Sequence, residues 1–439
     1  MLNERTKSYQ FPVTVFSAAL IASSVSLSSA NDWTGFQNGG KLAVTGKDYP
    51  VNWSPQSGVA WEQELAGYGQ SSPVIFGETI FVTSVSGDMK ENCQIEAFNT
   101  RTGDKVWQFD TENSTPTKNS TYVSKAAPSP VCDRSGVVTL FEGGNVVALS
   151  PAGELRWQRD LVAEYGVIES RHGLSSSLEQ NGKAVFVWIE RSENPYVLAL
   201  EKSTGKTIWK AEGLGVTSWS SPRLVPVAKS EHLVLSGIGK LVGLDPATGE
   251  QLWEFDKIAG NSTPTPIPIG SNRFLIGATV GRGESGRGKA AESNGVIAIS
   301  NSAEDGYSAE YVWQAKAATS SFGSPIAHNG LAWFVNRTGV IYCLDLETGE
   351  QKYASRTPGS IWATPIVIGD SLYLFGKNGT TTVISTGPKY EVIAENNLWK
   401  AEPAKEGQPA FQGPVLYAAS LTNSQLILRR GDRIFAISR

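Results

Sequence analysis

Apolar residues along this chain fall in short runs separated by Gly, Asn, Asp, Ser and Thr. Five such runs, at residues 95–98, 146–149, 197–200, 241–244 and 341–344, each lead through a Gly-containing turn to an aromatic four positions after the Gly. Gly103 precedes Trp107, Gly153 precedes Trp157, Gly205 precedes Trp209, Gly249 precedes Trp253, and Gly349 precedes Tyr353. Short apolar runs bounded by turn residues predict β-strands. Asn99, Ser150, Asp245 and Asp345 close four of the runs, and their side chains can hydrogen-bond backbone groups inside the turn. The Gly supplies a positive φ there, and the aromatic is a large apolar plug on the following strand.

A second landmark opens each unit. Pro73, Pro130, Pro222, Pro266, Pro325, Pro365 and Pro414 each stand just before a predicted strand, and Leu178 takes the slot where one Pro is missing. These eight starts recur at intervals of 40 to 59 residues. Proline is tolerated at the first residue of a strand, and four short strands per such period are the signature of a propeller blade. The last unit supplies only three strands. Residues 59–65, with Trp61 at the aromatic position, are the expected fourth, and they would leave no open sheet edge. The expected fold is therefore an all-β, eight-bladed β-propeller of four-stranded antiparallel blades over residues 59–439. Trp61, Trp107, Trp157, Trp209, Trp253, Trp313 and Tyr353 are its expected docking aromatics. Blades 5 and 7 lack the Thr-Gly turn.

Composition narrows the setting. Residues 1–30 read as a signal peptide, with Arg5 and Lys7 before an apolar stretch at 11–27 and Ser28-Ser29-Ala30 as the cleavage site. An exported, periplasmic or extracellular location is expected, with no lipid anchor, because no Cys stands at the cleavage site. No later stretch is apolar for long enough to span a bilayer. Residues 31–58 form an N-terminal extension outside the repeat, whose removal up to residue 57 is expected to be mild. With 38 Lys and Arg against 42 Asp and Glu, bulk charge gives no drive toward nucleic acid. Cys93, Cys132 and Cys343 read as buried thiols or as a Cys93–Cys132 disulfide plus one thiol. Without a Cys-x-x-Cys or close Cys/His pair, no metal site is expected.

The run Gly243-Leu244-Asp245-Pro246-Ala247-Thr248-Gly249-Glu250-Gln251-Leu252-Trp253 resembles the pyrroloquinoline-quinone (PQQ) repeat with its tryptophan-docking motif, and residues 199–209 and 343–353 nearly match it. Asn31-Asp32-Trp33-Thr34-Gly35-Phe36 resembles the lead-in of secreted PQQ-like propellers. The resemblance implies one of two branches, PQQ-dependent dehydrogenases of alcohols or sugars, or non-catalytic scaffolds similar to the outer-membrane assembly factor BamB. The first carries a vicinal Cys–Cys disulfide, a calcium-binding Glu/Asn set and a catalytic Asp. No two cysteines here are adjacent, and the other features have no recognisable counterpart, so PQQ with calcium is not the expected cofactor.

Candidate chemistry is sparse. His232 and His328 read as surface residues of hairpin turns. His172 lies in a loop before a blade-opening strand, and equivalent loops carry Tyr68, Trp219, Phe322, Trp362 and Phe411. Together these six are the candidate ring for a flat ligand or a protein partner at the propeller funnel, against the reading that they pack between blades. Residues 283–290 imitate a phosphate-binding loop, but Ala290 stands where a metal-binding hydroxyl is needed and no helix is expected to follow. The leading expectation is a non-catalytic scaffold or ligand-binding module. A PQQ-dependent oxidoreductase and a carbohydrate or peptide receptor are the alternatives.

Overall fold

The computed structural model describes residues 32–46, 48–118, 123–170, 172–258, 263–278, 291–399 and 414–439. Their strands form eight antiparallel blades in chain order, an eight-bladed β-propeller. In blade 1, Val74–Phe76, Thr79–Ser86, Asn92–Asn99 and Lys105–Glu112 succeed one another from axis to rim. Blade 8 takes Leu416–Leu421, Leu426–Arg430 and Arg433–Ile437 from one end of the chain and Val59–Glu64 from the other. Trp61 stands opposite Ala436 and Glu64 opposite Arg433, so the expected closing strand is in place.

Blades are stapled to one another in two ways. At the rim, the indole N–H groups of Trp61, Trp107, Trp157, Trp209 and Trp313 donate to the carbonyls of Thr100, Pro151, Lys202, Pro246 and Leu346 in the turn of the next blade, at 2.8 to 3.0 Å. Each ring lies flat against that turn's glycine. A Cβ on Gly249 would stand 2.6 Å from Trp209, on a backbone with φ of 77°. Nearer the axis, the Ser or Thr before seven of the eight blade-opening positions joins a hoop of hydroxyls. The amides of Ser72, Ser129, Ser177, Ser221, Thr265 and Ser324 donate to the hydroxyls of Ser129, Ser177, Ser221, Thr265, Ser324 and Thr364, at 2.8 to 3.1 Å. Where a Pro follows it has no N–H, so the amide before it carries the bond between blades, whereas in blade 3 the Leu178 amide also donates to the Ser129 carbonyl at 3.2 Å. Apolar faces of adjacent blades then bury one another, as where Leu198 and Val187 pack with Val138 and Leu140.

One expectation changes. His232 is buried, 1 % exposed, and accepts the Trp253 indole N–H on Nδ1 at 3.0 Å. The turn falls two residues earlier than the sequence suggests, with Ala228 at φ of 52°, so a strand already runs over Ser230–Gly237 and His232 faces inward. Blade 5 offers no Thr-Gly turn to Trp253, and the indole bonds within its own blade instead. Tyr353 likewise stays in its blade, accepting from Trp333 at 2.9 Å. Cys93, Cys132 and Cys343 are all free and buried, as the first of the two expected readings has it, and Cys93 and Cys132 form no disulfide. Burial pushes the Cys93 and Cys343 thiols up to about 12.

Candidate functional site

The extension outside the repeat lies across the propeller axis. Trp33 exchanges both backbone hydrogen bonds with Ile75 of blade 1, at 2.9 and 2.8 Å. The Thr34 carbonyl accepts from the Cys132 amide of blade 2 at 2.9 Å and from the Gln180 side chain of blade 3 at 3.1 Å. Ala43 and Val44 then pair in parallel with Val367 and Ile368, adding a fifth, innermost strand to blade 7. Trp33 and Leu42 are each 2 % exposed.

Between these anchors the backbone is left-handed at Gln37, Asn38 and Gly39, with φ of 55°, 50° and 63°. Such a turn costs roughly 1–2 kcal/mol at each non-glycine residue, and Gln37 is tied down on three sides. Its amide donates to Ser324 Oγ at 2.9 Å and Thr364 Oγ1 at 2.8 Å, the last two hydroxyls of the hoop. Its oxygen accepts from Arg223 of blade 4 at 3.1 Å, and the same guanidinium nitrogen donates to the Phe36 carbonyl at 3.1 Å. Arg223 is itself paired with buried Glu179 of blade 3 at 2.9 Å. Burial pushes the Glu179 carboxyl up and the Arg223 guanidinium down.

Above this floor, the described loops that enter the blades form a mouth. The expected ring resolves into two arcs. In one, Phe322 and Trp362 meet edge to face with centroids 5.0 Å apart, Trp362 lies 6.4 Å from Tyr417, and Tyr417 lies 6.2 Å from Tyr68. The two tyrosine hydroxyls share a 2.5 Å hydrogen bond, and burial pushes the Tyr68 hydroxyl up. The Lys377 ammonium sits 4.7 Å over the Trp362 ring. Phe322, Trp362 and Tyr417, with Trp33, Phe36 and Gln37 beneath, enclose a cavity of about 130 Å³. In the other arc, His172 stacks on Trp219 at 5.7 Å, next to the buried Lys125–Glu142 ion pair of blade 2. Glycine at 173 leaves room for that carboxylate, since a Cβ would stand 2.7 Å from it. Phe411 lies outside the described residues, as does the whole of the imitation phosphate loop at residues 283–290.

Sequence reasoning missed Tyr417, Gln37, Arg223 and the hydroxyl hoop. The hoop had a signal, a Ser or Thr before seven of the eight blade starts, with Gly413 at the eighth. Tyr417 follows Pro414 by three residues, whereas Trp219, Phe322 and Trp362 precede their Pro by three. Among the described residues, no three His, Cys, Asp or Glu side chains converge as metal ligands. No helix among them is long and apolar enough to cross a membrane.

A ring of eight four-stranded blades, stapled by docked indoles and closed by a strand from the other end of the chain, defines a quinoprotein-type β-propeller. Within that class, the chain belongs to the family described as outer membrane protein assembly factor BamB, whose model matches residues 21–188 and 193–432. Among solved structures, BamB from Moraxella catarrhalis is similar with a TM-score of 0.60 at 13 % identity, covering 87 % of this chain and 99 % of that one. Quinohemoprotein alcohol dehydrogenase from Comamonas testosteroni also reaches 0.60, at 12 % identity over 93 % and 80 % of the two chains. The computationally designed Ika8 protein reaches 0.56 at 10 % identity, over 86 % and 98 %. At these identities the likeness is one of fold. No curated protein sequence matches the chain.

Proposed function

We propose that the protein is an exported, non-catalytic binding propeller that holds a protein partner or small ligand at its aromatic mouth. One observation carries this reading. The deep part of the funnel is taken up by the chain's own Trp33–Gln37 segment, and what is left above it is a shallow, half-exposed aromatic arc centred on Trp362. Aromatic side chains give large contact area with few rotatable bonds, as recognition surfaces need. Family membership beside a BamB-like scaffold supports the same reading, and the leader-like residues 1–30 support export.

The PQQ-dependent alternative needs cations for an anionic quinone and oxygen ligands for calcium. At the axis, Arg223 is already engaged by Glu179, Phe36 and Gln37, and this speaks against a quinone there. The two readings separate in one assay. Purified protein titrated with PQQ and Ca²⁺, then offered alcohols and sugars with a reducible dye, is expected to give no turnover above a heat-killed control. Turnover that depends on both additions would overturn the scaffold reading. In parallel, a photo-crosslinking residue at Trp362 should capture a defined envelope partner, while one at exposed Ile208 on the rim should not.

A further inference from the structure

The other mouth of the ring carries a second feature. In blades 1, 2 and 7, the central residue of the innermost strand turns its amide toward the axis, and the extension accepts it. Ile75 bonds to Trp33, Cys132 to Thr34 and Val367 to Leu42, at 2.8 to 3.0 Å. In blade 5 the corresponding position is Pro268, which has no amide to satisfy. Blade 6 differs. Its innermost strand is Ile326–His328, and the turn at Asn329-Gly330, with φ of 45° and 76°, pairs His328 with Leu331. Ala327 is thereby left with its N–H and C=O facing the axis, and among the described residues neither has a partner. Ile75, Cys132 and Val367 are buried, but Ala327 is half-exposed.

Beside it opens a groove of about 440 Å³. One wall is Ile326 and Leu346 of blade 6, the other Ile267 and Ile269 of blade 5, and Leu42 of the extension closes the end. At the rim, Arg273 is held by Glu347 at 2.7 and 3.0 Å, while Lys41 is exposed and makes no ion pair among the described residues. We propose that this groove takes an extended, apolar peptide of a partner protein, which adds a strand to the axial edge of blade 6 as residues 42–44 do to blade 7, with a carboxylate of the peptide meeting Lys41. Strand addition uses the bare N–H and C=O for affinity and the apolar walls for selection. The extension shows that this fold accepts a strand there.

The test uses the full chain and the peptide acetyl-Val-Ala-Val-Asp. In the free protein the Ala327 amide should exchange with solvent far faster than that of Val367. Saturating peptide should slow it at least about tenfold. The same peptide N-methylated at its alanine should bind about tenfold or more weakly, and Lys41→Glu should weaken binding without shifting the melting temperature. Trp362→Ala, at the opposite mouth, should leave peptide binding unchanged, so that failure here is separable from failure of the aromatic site. An Ala327 amide as protected as Val367 in the free protein would overturn the proposal. So would peptide binding indifferent to both N-methylation and Lys41→Glu, or no binding at millimolar peptide.

Discussion

His232 gives this propeller a pH dependence that a surface histidine would not. Its Nδ1 accepts the Trp253 indole, so the neutral ring carries its proton on Nε2. Burial pushes its pKa below the ordinary value of 6.5. In the unfolded chain the imidazole protonates near about 6.5, while in the folded protein it stays neutral to lower pH. The unfolded state therefore binds more protons in that window, and stability present above pH 6.5 is lost as pH falls through and below it. Chemical denaturation between pH 7.5 and 5, a range of about two and a half units chosen around the free histidine pKa, should show this loss, and His232→Gln should flatten it. A slope unchanged in the variant would assign the effect elsewhere.

At the scale of the strand and turn, the docking aromatics join neighbouring blades. Trp253 packs on Phe274 of blade 5, centroids 6.5 Å apart, and is 4 % exposed. Trp253→Ala is expected to cost about 3–5 kcal/mol. Trp253→Phe keeps most of the packing and loses the indole bond, so a loss nearer 1–2 kcal/mol is expected. Urea melts of both variants decide the matter, and equal losses would mean that the hydrogen bond, not packing, dominates. These elements were readable beforehand because their rules are local. A Gly followed four residues later by Trp declares a turn and a strand without reference to any distant residue. Tyr68, His172, Trp219, Phe322 and Trp362 were legible as loop aromatics for the same reason, but their division into two arcs depends on how neighbouring blades are rotated about the axis, and nothing in the spacing encodes that. His232 was misread because Ser230-Glu231 looks like a turn, while the turn residue is Ala228, whose positive φ no sequence rule favours.

For the molecule as a whole, the extension changes what truncation should do. Residues 32–57 carry no repeat, and their removal is expected from sequence alone to be mild. In the fold, Trp33, Leu42, Tyr49 and Trp53 are all buried, Tyr49 donates to the Thr422 carbonyl at 2.5 Å, and the Trp53 amide donates to Asn396 at 2.8 Å. Since each buried indole is on the order of 150–250 Å² of surface, deleting residues 32–57 should lower the melting temperature sharply even with the closing strand retained. A melting point within a degree or so of the intact chain, about the shift expected from a few tenths of a kcal/mol, would show that the extension merely rests on the ring. Its path was invisible in the sequence because Gln37 finds Ser324 and Thr364 across 287 and 327 residues of the chain.

The pairing of Val59–Glu64 with Arg433–Ile437 also sets an order of events. Synthesis delivers the N-terminal partner first and the C-terminal one last, so for most of the time the chain is being made, Val59–Glu64 has no strand to pair with. Neighbouring blades can assemble as they emerge, but the ring can be sealed only after the final strand arrives, across a loop spanning most of the protein. Until that strand arrives the last blade lacks its outermost member and the ring keeps an open edge.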